Sequence, residues 1–174
     1  MKPIFIIGFM GAGKTTVGCL LADLLSMQFV DTDAFIEEKL GMSVTEIFAQ
    51  QGIDFFRKAE KKVLRYLAEN QNIIIATGGG APCDLENLEL IKRYGTSFYL
   101  KWNECDLLVR LKIDGTEKRP LLAGKTDAQL AEFINTELAT RKSFYAQADF
   151  TVSGKNDKII ARKIVEKVLC LKNF

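Results

Sequence analysis

Along the chain, short apolar runs alternate with stretches in which apolar residues return every three or four positions. Residues 3–7, 28–30, 72–76, 96–102 and 150–152 are rich in Ile, Val, Phe and Tyr, and predict strands. Residues 14–25, 55–67, 85–93, 105–111, 128–145 and 158–169 carry the helical period. In the first of these, Val17, Leu20, Leu21, Leu24 and Leu25 fall on one stripe. Ser43 and Glu46 have the spacing of a capping box and open a further helix through Phe48. Strand–helix alternation of this kind predicts an α/β domain with a parallel sheet covered on both faces. No repeat or linker divides the 174 residues, so one domain is expected.

Residues 113–125 break the alternation. This stretch is polar, contains Gly115, Pro120 and Gly124, and is longer than most loops in compact domains. A plain surface loop is one reading. Arg119 supports another, a lid over about residues 112–125 that closes on a charged ligand.

Composition adds limits rather than a function. A net charge of +2 gives no reason to expect a nucleic-acid groove or a membrane patch. No segment approaches the ~20 apolar residues of a membrane span, and the N-terminal apolar run is too short for a signal peptide. Cys19, Cys83, Cys105 and Cys170 are scattered, which predicts free, mostly buried thiols in a reducing cytoplasm. The chain has no histidine, so proton transfer near neutral pH falls to a carboxylate, lysine, tyrosine or the substrate.

The chemistry begins directly after the first strand, at "GFMGAGKT", Gly8 to Thr15. Gly8, Gly13, Lys14 and Thr15 have the G-x-x-x-x-G-K-[ST] spacing, in the strand–loop–helix setting that gives the pattern its mechanism. Backbone N–H groups of such a loop wrap a phosphate at the positive end of a helix. Gly11, Ala12, Gly13, Lys14, Thr15 and Thr16 are therefore candidate nucleotide contacts. Lys14 would reach the β- and γ-phosphates, and Thr15 would ligate Mg²⁺. ATP with Mg²⁺ is the expected donor. A GTPase is disfavoured, because D-x-x-G and N-K-x-D are both absent.

Two further strand ends carry candidate residues. Asp31 and Asp33, in "DTD", stand where ligands bind in open parallel sheets. One could serve a metal and the other a substrate hydroxyl, or the pair could simply cap a helix. "ATGGGA" follows the third strand, and Gly78, Gly79 and Gly80 expose main chain there, as a ligand contact or as a flexible turn. Arg57 and Arg141 lie on predicted helices. They are either solvated charges or forks for a planar carboxylate.

Together "GFMGAGKTTVG", "DTD", "FFRKAE", "ATGGGA", "RPLL" and "RKSFY" occur in the order and spacing of the shikimate kinase family, which the chain resembles over essentially its whole length. The resemblance implies a single kinase domain with a three-layer α/β/α fold. Five parallel strands of the kind found in P-loop nucleoside monophosphate kinases would carry a mobile lid and a substrate-binding region near residues 32–60. It implies transfer of the ATP γ-phosphate to the 3-hydroxyl of shikimate, in the route to chorismate and the aromatic amino acids. It also implies roles: Asp33 on the substrate hydroxyls, Arg57 and Arg141 on its carboxylate, and Gly78 to Gly80 along it. Asp31 would lie beside the metal, Arg119 on the nucleotide phosphates, and Arg110 is a candidate adenine contact. Asp33, Lys14 and Arg119 form the expected catalytic set, in a cytoplasmic monomer without nucleic-acid or membrane partners. One departure is Ile53, where the family often has Glu, so an ion pair from that position is missing. Another small-molecule kinase, such as a gluconate or nucleotide kinase, and an ATP-binding regulator without turnover remain as alternatives.

Overall fold

The structure, a computed structural model, describes residues 1–115 and 121–172. β1 (Ile4–Ile7) leads through the glycine-rich loop into α1 (Lys14–Leu25), and β2 (Gln28–Asp31) leads directly into α2 (Thr32–Leu40). α3 (Val44–Gln51) and α4 (Ile53–Ala68) precede β3 (Ile73–Ala76). A 3-10 turn at Ala81–Cys83 then enters α5 (Leu85–Tyr94), followed by β4 (Thr96–Leu100) and α6 (Glu104–Asp114). The chain ends through α7 (Asp127–Tyr145), β5 (Phe150–Val152) and α8 (Asp157–Lys172).

The five strands run in the order β2-β3-β1-β4-β5, and every pairing is parallel. β1 and β3 sit inside the sheet, and all eight of their residues are buried, as helices on both faces require. Ile4, Phe5, Ile6 and Ile7 join Val17, Leu21, Leu64, Ile91, Phe98, Ile134 and Ile164 in one core. A smaller cluster of Ile36, Ile47 and Phe56 ties α2, α3 and α4 together beside it.

Register explains why the motifs meet. Ile6 pairs with Ala76, and Ala76 also pairs with Asp31. The ends of β1, β2 and β3 therefore lie level, so the phosphate loop, "DTD" and the triple glycine leave the sheet along one edge. This is where ligands bind in open parallel sheets.

Several expectations are corrected. β4 stops at Leu100, short of Trp102. α2 had no place in the hydrophobic pattern; Asp31 caps it by accepting from the N–H groups of Asp33 and Ala34. α4 begins at Ile53, which is exposed. Leu24 is 58% exposed rather than part of a buried stripe. The cysteines are free, but Cys19, Cys105 and Cys170 lie exposed on outer helix faces and only Cys83 is half-buried. Among the described residues, no helix is long and apolar enough to cross a membrane.

Candidate active site

The phosphate loop turns on Gly13, which precedes α1 at φ 83°, a left-handed conformation that suits glycine. Lys14 then starts the helix, and its Nζ donates to the Phe9 carbonyl at 2.9 Å, folding the ammonium back over the loop. The Thr15 hydroxyl donates to Asp31 Oδ2 at 2.7 Å. The other Asp31 oxygen accepts from Asp33 N at 3.0 Å and Ala34 N at 3.4 Å. Asp31 thus caps α2 and faces Thr15 at once, so the two readings of "DTD" coexist. A hydroxyl and a carboxylate side by side form an all-oxygen donor pair, which suits a hard cation such as Mg²⁺. Among the described residues no group of three His, Cys, Asp or Glu side chains could cage a metal.

Deeper in the cavity the polar groups are less well served. Asp33 Oδ1 and Glu60 Oε1 are buried, and neither has a hydrogen-bond partner among the described residues. Glu60 is 1% exposed, and its other oxygen accepts from Arg57 NH1 at 2.7 Å. Gly78 lies between the two orphan oxygens. A Cβ there would stand 2.4 Å from Glu60 Oε1 and 2.7 Å from Asp33 Oδ1, so any side chain would fill the gap. Burial, reinforced by the charges of Asp31 and Glu60, pushes the Asp33 carboxyl up to about 7 against the pull of Lys14 and Arg57. Burial raises Glu60 as well, although Arg57 opposes it.

The main chain of this edge is fastened by side chains. Gly78 N–H donates to Thr32 Oγ1 at 2.9 Å, and the Tyr145 hydroxyl donates to the Gly79 carbonyl at 2.6 Å. Arg141, one helical turn before Tyr145, donates through NH2 to Glu137 and lies 5.5 Å over the Phe9 ring.

These groups line a cavity of about 530 Å³ that includes Lys14, Thr15, Asp31, Asp33, Arg57, Glu60, Gly78, Gly79, Gly80 and Arg141. Two arginines far apart in sequence therefore face one space, together with Asp31, Asp33, Glu60 and Lys14. Val44, Phe48, Phe56 and Leu121 add an apolar wall. Gly11 and Ala12 are buried in the loop, and Thr16 is exposed on the first turn of α1 outside the cavity lining. Arg110 is also outside the lining; its guanidinium binds the Gly11 carbonyl at 2.7 Å and Asp157 at 2.9 Å. Arg119 lies outside the described residues, while Asp114, Gly115 and Leu121 on either side of that stretch border the cavity.

Glu60, Thr32 and Tyr145 were not singled out from the sequence. Glu60 carried a signal: it stands three residues after Arg57, within contact distance on a helix. Thr32 and Tyr145 act on main chain brought near by the fold, which no local pattern marks.

The chain is similar to several known proteins along most of its length. A family model described as "Shikimate kinase" matches residues 10–169. The shikimate kinase of Parabacteroides distasonis is 42% identical over 155 residues, covering 89% of each chain. That of Bacteroides fragilis is 40% identical, over 95% of this chain and 91% of its own. The solved shikimate kinase of Acinetobacter baumannii, in complex with shikimate, superposes with a TM-score of 0.89 at 35% identity, covering 99% of this chain and 95% of that one. A gluconokinase from Sinorhizobium meliloti shares the fold at a TM-score of 0.63 but only 17% identity. With the family model spanning most of its length and relatives above 40% identity, the chain belongs to the shikimate kinase family.

Proposed function

We propose that the cavity at the ends of β1, β2 and β3 carries out the family reaction, with Asp33 as the group that receives the acceptor proton. The chain is an ATP-dependent phosphotransferase that converts shikimate and ATP into shikimate 3-phosphate and ADP. The observation that carries the assignment is Asp33 Oδ1: a buried oxygen without a hydrogen-bond partner among the described residues, on a side chain that lines the same cavity as Lys14.

A sugar-like acceptor supplies what this end lacks, since its hydroxyls donate to the carboxylates of Asp33 and Glu60. Its own carboxylate matches Arg57 and Arg141, whose guanidiniums form charge-assisted pairs with planar anions. During transfer the 3-hydroxyl oxygen bonds to the γ-phosphorus, the bond from that phosphorus to the β-bridging oxygen breaks, and the hydroxyl proton passes to Asp33. A carboxyl near 7 is matched to this task at neutral pH. Lys14 adds positive charge at the phosphates, and Arg119 is assigned the same task from its place in "RPLL". Thr15 and Asp31 would hold Mg²⁺, which neutralises phosphate charge when bound with the nucleotide. Phosphoryl transfer depends on alignment and charge neutralisation more than on a strong base, so a chain without histidine is adequate.

The stretch of about residues 112–125 would act as the lid, and residues 32–60 as the substrate-binding region. We place the protein in the cytoplasm as a monomer without a nucleic-acid partner, in keeping with its small net charge of +2. A coupled ADP-release assay with shikimate, gluconate and nucleoside monophosphates tests the assignment. ADP release with shikimate alone is expected; equal or faster release with another acceptor would overturn it.

A further inference from the structure

The phosphate loop is gripped by residues that do not line the cavity. Trp102, the single tryptophan of the chain, follows β4, and its indole Nε1–H donates to the Ala12 carbonyl at 3.0 Å. The neighbouring carbonyl, that of Gly11, accepts from Arg110 Nε at 2.7 Å. The Arg110 guanidinium lies 4.5 Å over the indole ring, and both Asp157 oxygens hold its NH2 at 2.9 Å. Asp157 opens α8, Arg110 belongs to α6, and Trp102 comes from the end of the sheet. Two side chains from separate parts of the fold thus hold two consecutive carbonyls, and a third element, α8, holds one of those side chains through Asp157.

The consequence lies in peptide geometry. Across a trans peptide, a carbonyl and the following N–H point in opposite directions. Pinning the Gly11 and Ala12 carbonyls outward therefore aims the N–H groups of Ala12 and Gly13 the other way. Ala12 N–H bonds the Phe9 carbonyl at 3.2 Å, the same atom that accepts from Lys14, so the aimed side is the lysine side of the loop. Gly13 completes the fit: a Cβ there would stand 2.5 Å from Arg110 NH2 and 2.6 Å from Asp157 Oδ1.

We propose that Trp102 is a positioning residue for nucleotide binding: its indole N–H, with the Arg110–Asp157 pair stacked on its ring, orients the phosphate loop so that its backbone donors face the nucleotide phosphates. This rests on the reading of the loop as the nucleotide site. Trp102 acts through Ala12 and touches no reacting atom.

Calorimetric titrations with Mg·ADP, and separately with shikimate, on Trp102→Phe, Trp102→Ala and Asp157→Asn test it. Phenylalanine keeps an aromatic ring beneath Arg110 while removing the N–H donor and part of the indole surface. Its ADP dissociation constant should rise about five-fold, the worth of one neutral hydrogen bond. Alanine, which also removes the ring, should cost more, and Asp157→Asn should weaken ADP in the same direction. Shikimate affinity should hold in all three, and turnover at saturating ATP should survive in Trp102→Phe. Wild-type ADP affinity in Trp102→Phe would overturn the proposal. So would a parallel loss of both ligands with a lowered unfolding midpoint, which marks a general structural brace. Failure of the wild-type protein to bind ADP would overturn the nucleotide reading itself, a result distinct from either.

Discussion

Asp31 and Asp33 are separated only by Thr32 and line the same cavity, yet their surroundings differ sharply. Both oxygens of Asp31 are in use, one on Thr15 and the other on the first N–H groups of α2. Asp33 has a buried oxygen with no hydrogen-bond partner among the described residues, as does Glu60 across Gly78. The nucleotide end is thus a satisfied network built before any ligand arrives. The acceptor end holds unmet acceptors whose oxygens are buried, where an unpaired polar group is costly. A preformed loop suits a phosphate donor common to many enzymes. An acceptor end with unmet hydrogen bonds discriminates, because only a ligand that supplies the missing donors relieves it.

The largest effect should come from removing the unmet carboxylate. Asp33→Asn should lower kcat on the order of 10²–10⁴, the usual contribution of a positioned acid or base, and leave Mg·ADP affinity unchanged. Turnover close to that of the wild type would remove Asp33 from the proton path. Loss of ADP binding would break the separation between the two ends.

The arginines sharpen the comparison at the acceptor end. Arg57→Ala and Arg141→Ala should each raise the shikimate KM by about 10- to 100-fold, the value of a charged hydrogen bond of ~1.5–3 kcal/mol. If one carboxylate spans both, the double variant should fall short of the product of the single losses. An acceptor analogue lacking the carboxylate should bind wild type poorly and lose little more in either variant. Equal losses for both ligands would assign the arginines another role.

The smallest effect is on stability, and its sign is opposite to that of most substitutions. The folded state holds Asp33 at about 7 against an ordinary 3.8, so folding disfavours its ionised form. That penalty is absent at pH below the ordinary value, grows as pH rises through the interval, and is complete above about 7. Asparagine carries no such penalty. Without ligands, Asp33→Asn should therefore melt higher than wild type above neutral pH, with the gap shrinking steadily towards acid. Relief of ~1–3 kcal/mol for an unmet buried group corresponds to a rise of about 2–12 °C at this size. An unchanged or lower midpoint at alkaline pH would show that Asp33 is not under strain.

Local pattern made the nucleotide end legible and left much of the acceptor end obscure. Gly8 to Thr15 is contiguous, follows an apolar strand and opens a helix, so residue type and spacing suffice. Arg57 and Arg141 are different: neither is distinguishable in sequence from a solvated helix charge. Only the resemblance of "FFRKAE" and "RKSFY" paired them, and α4 and α7 bring them to one cavity. α2 was signalled only by the capping alternative for "DTD", because its sequence has no continuous apolar stripe and its start depends on the Asp31 cap. The orphan oxygens of Asp33 and Glu60 were not readable at all. Their condition depends on burial against Gly78 and on neighbours from other segments, which only the folded chain defines.

The difference between the two ends can be measured at a single atom. Carboxyl carbon-13 NMR of the ligand-free protein, with the Asp33 resonance assigned by its loss in Asp33→Asn, follows that group alone as pH is raised. A midpoint at about 7 is expected, moving down once shikimate supplies the missing donors. A midpoint near 3.8 in the free protein would show that Asp33 is as well satisfied as its neighbour, and would contradict the contrast between the two ends.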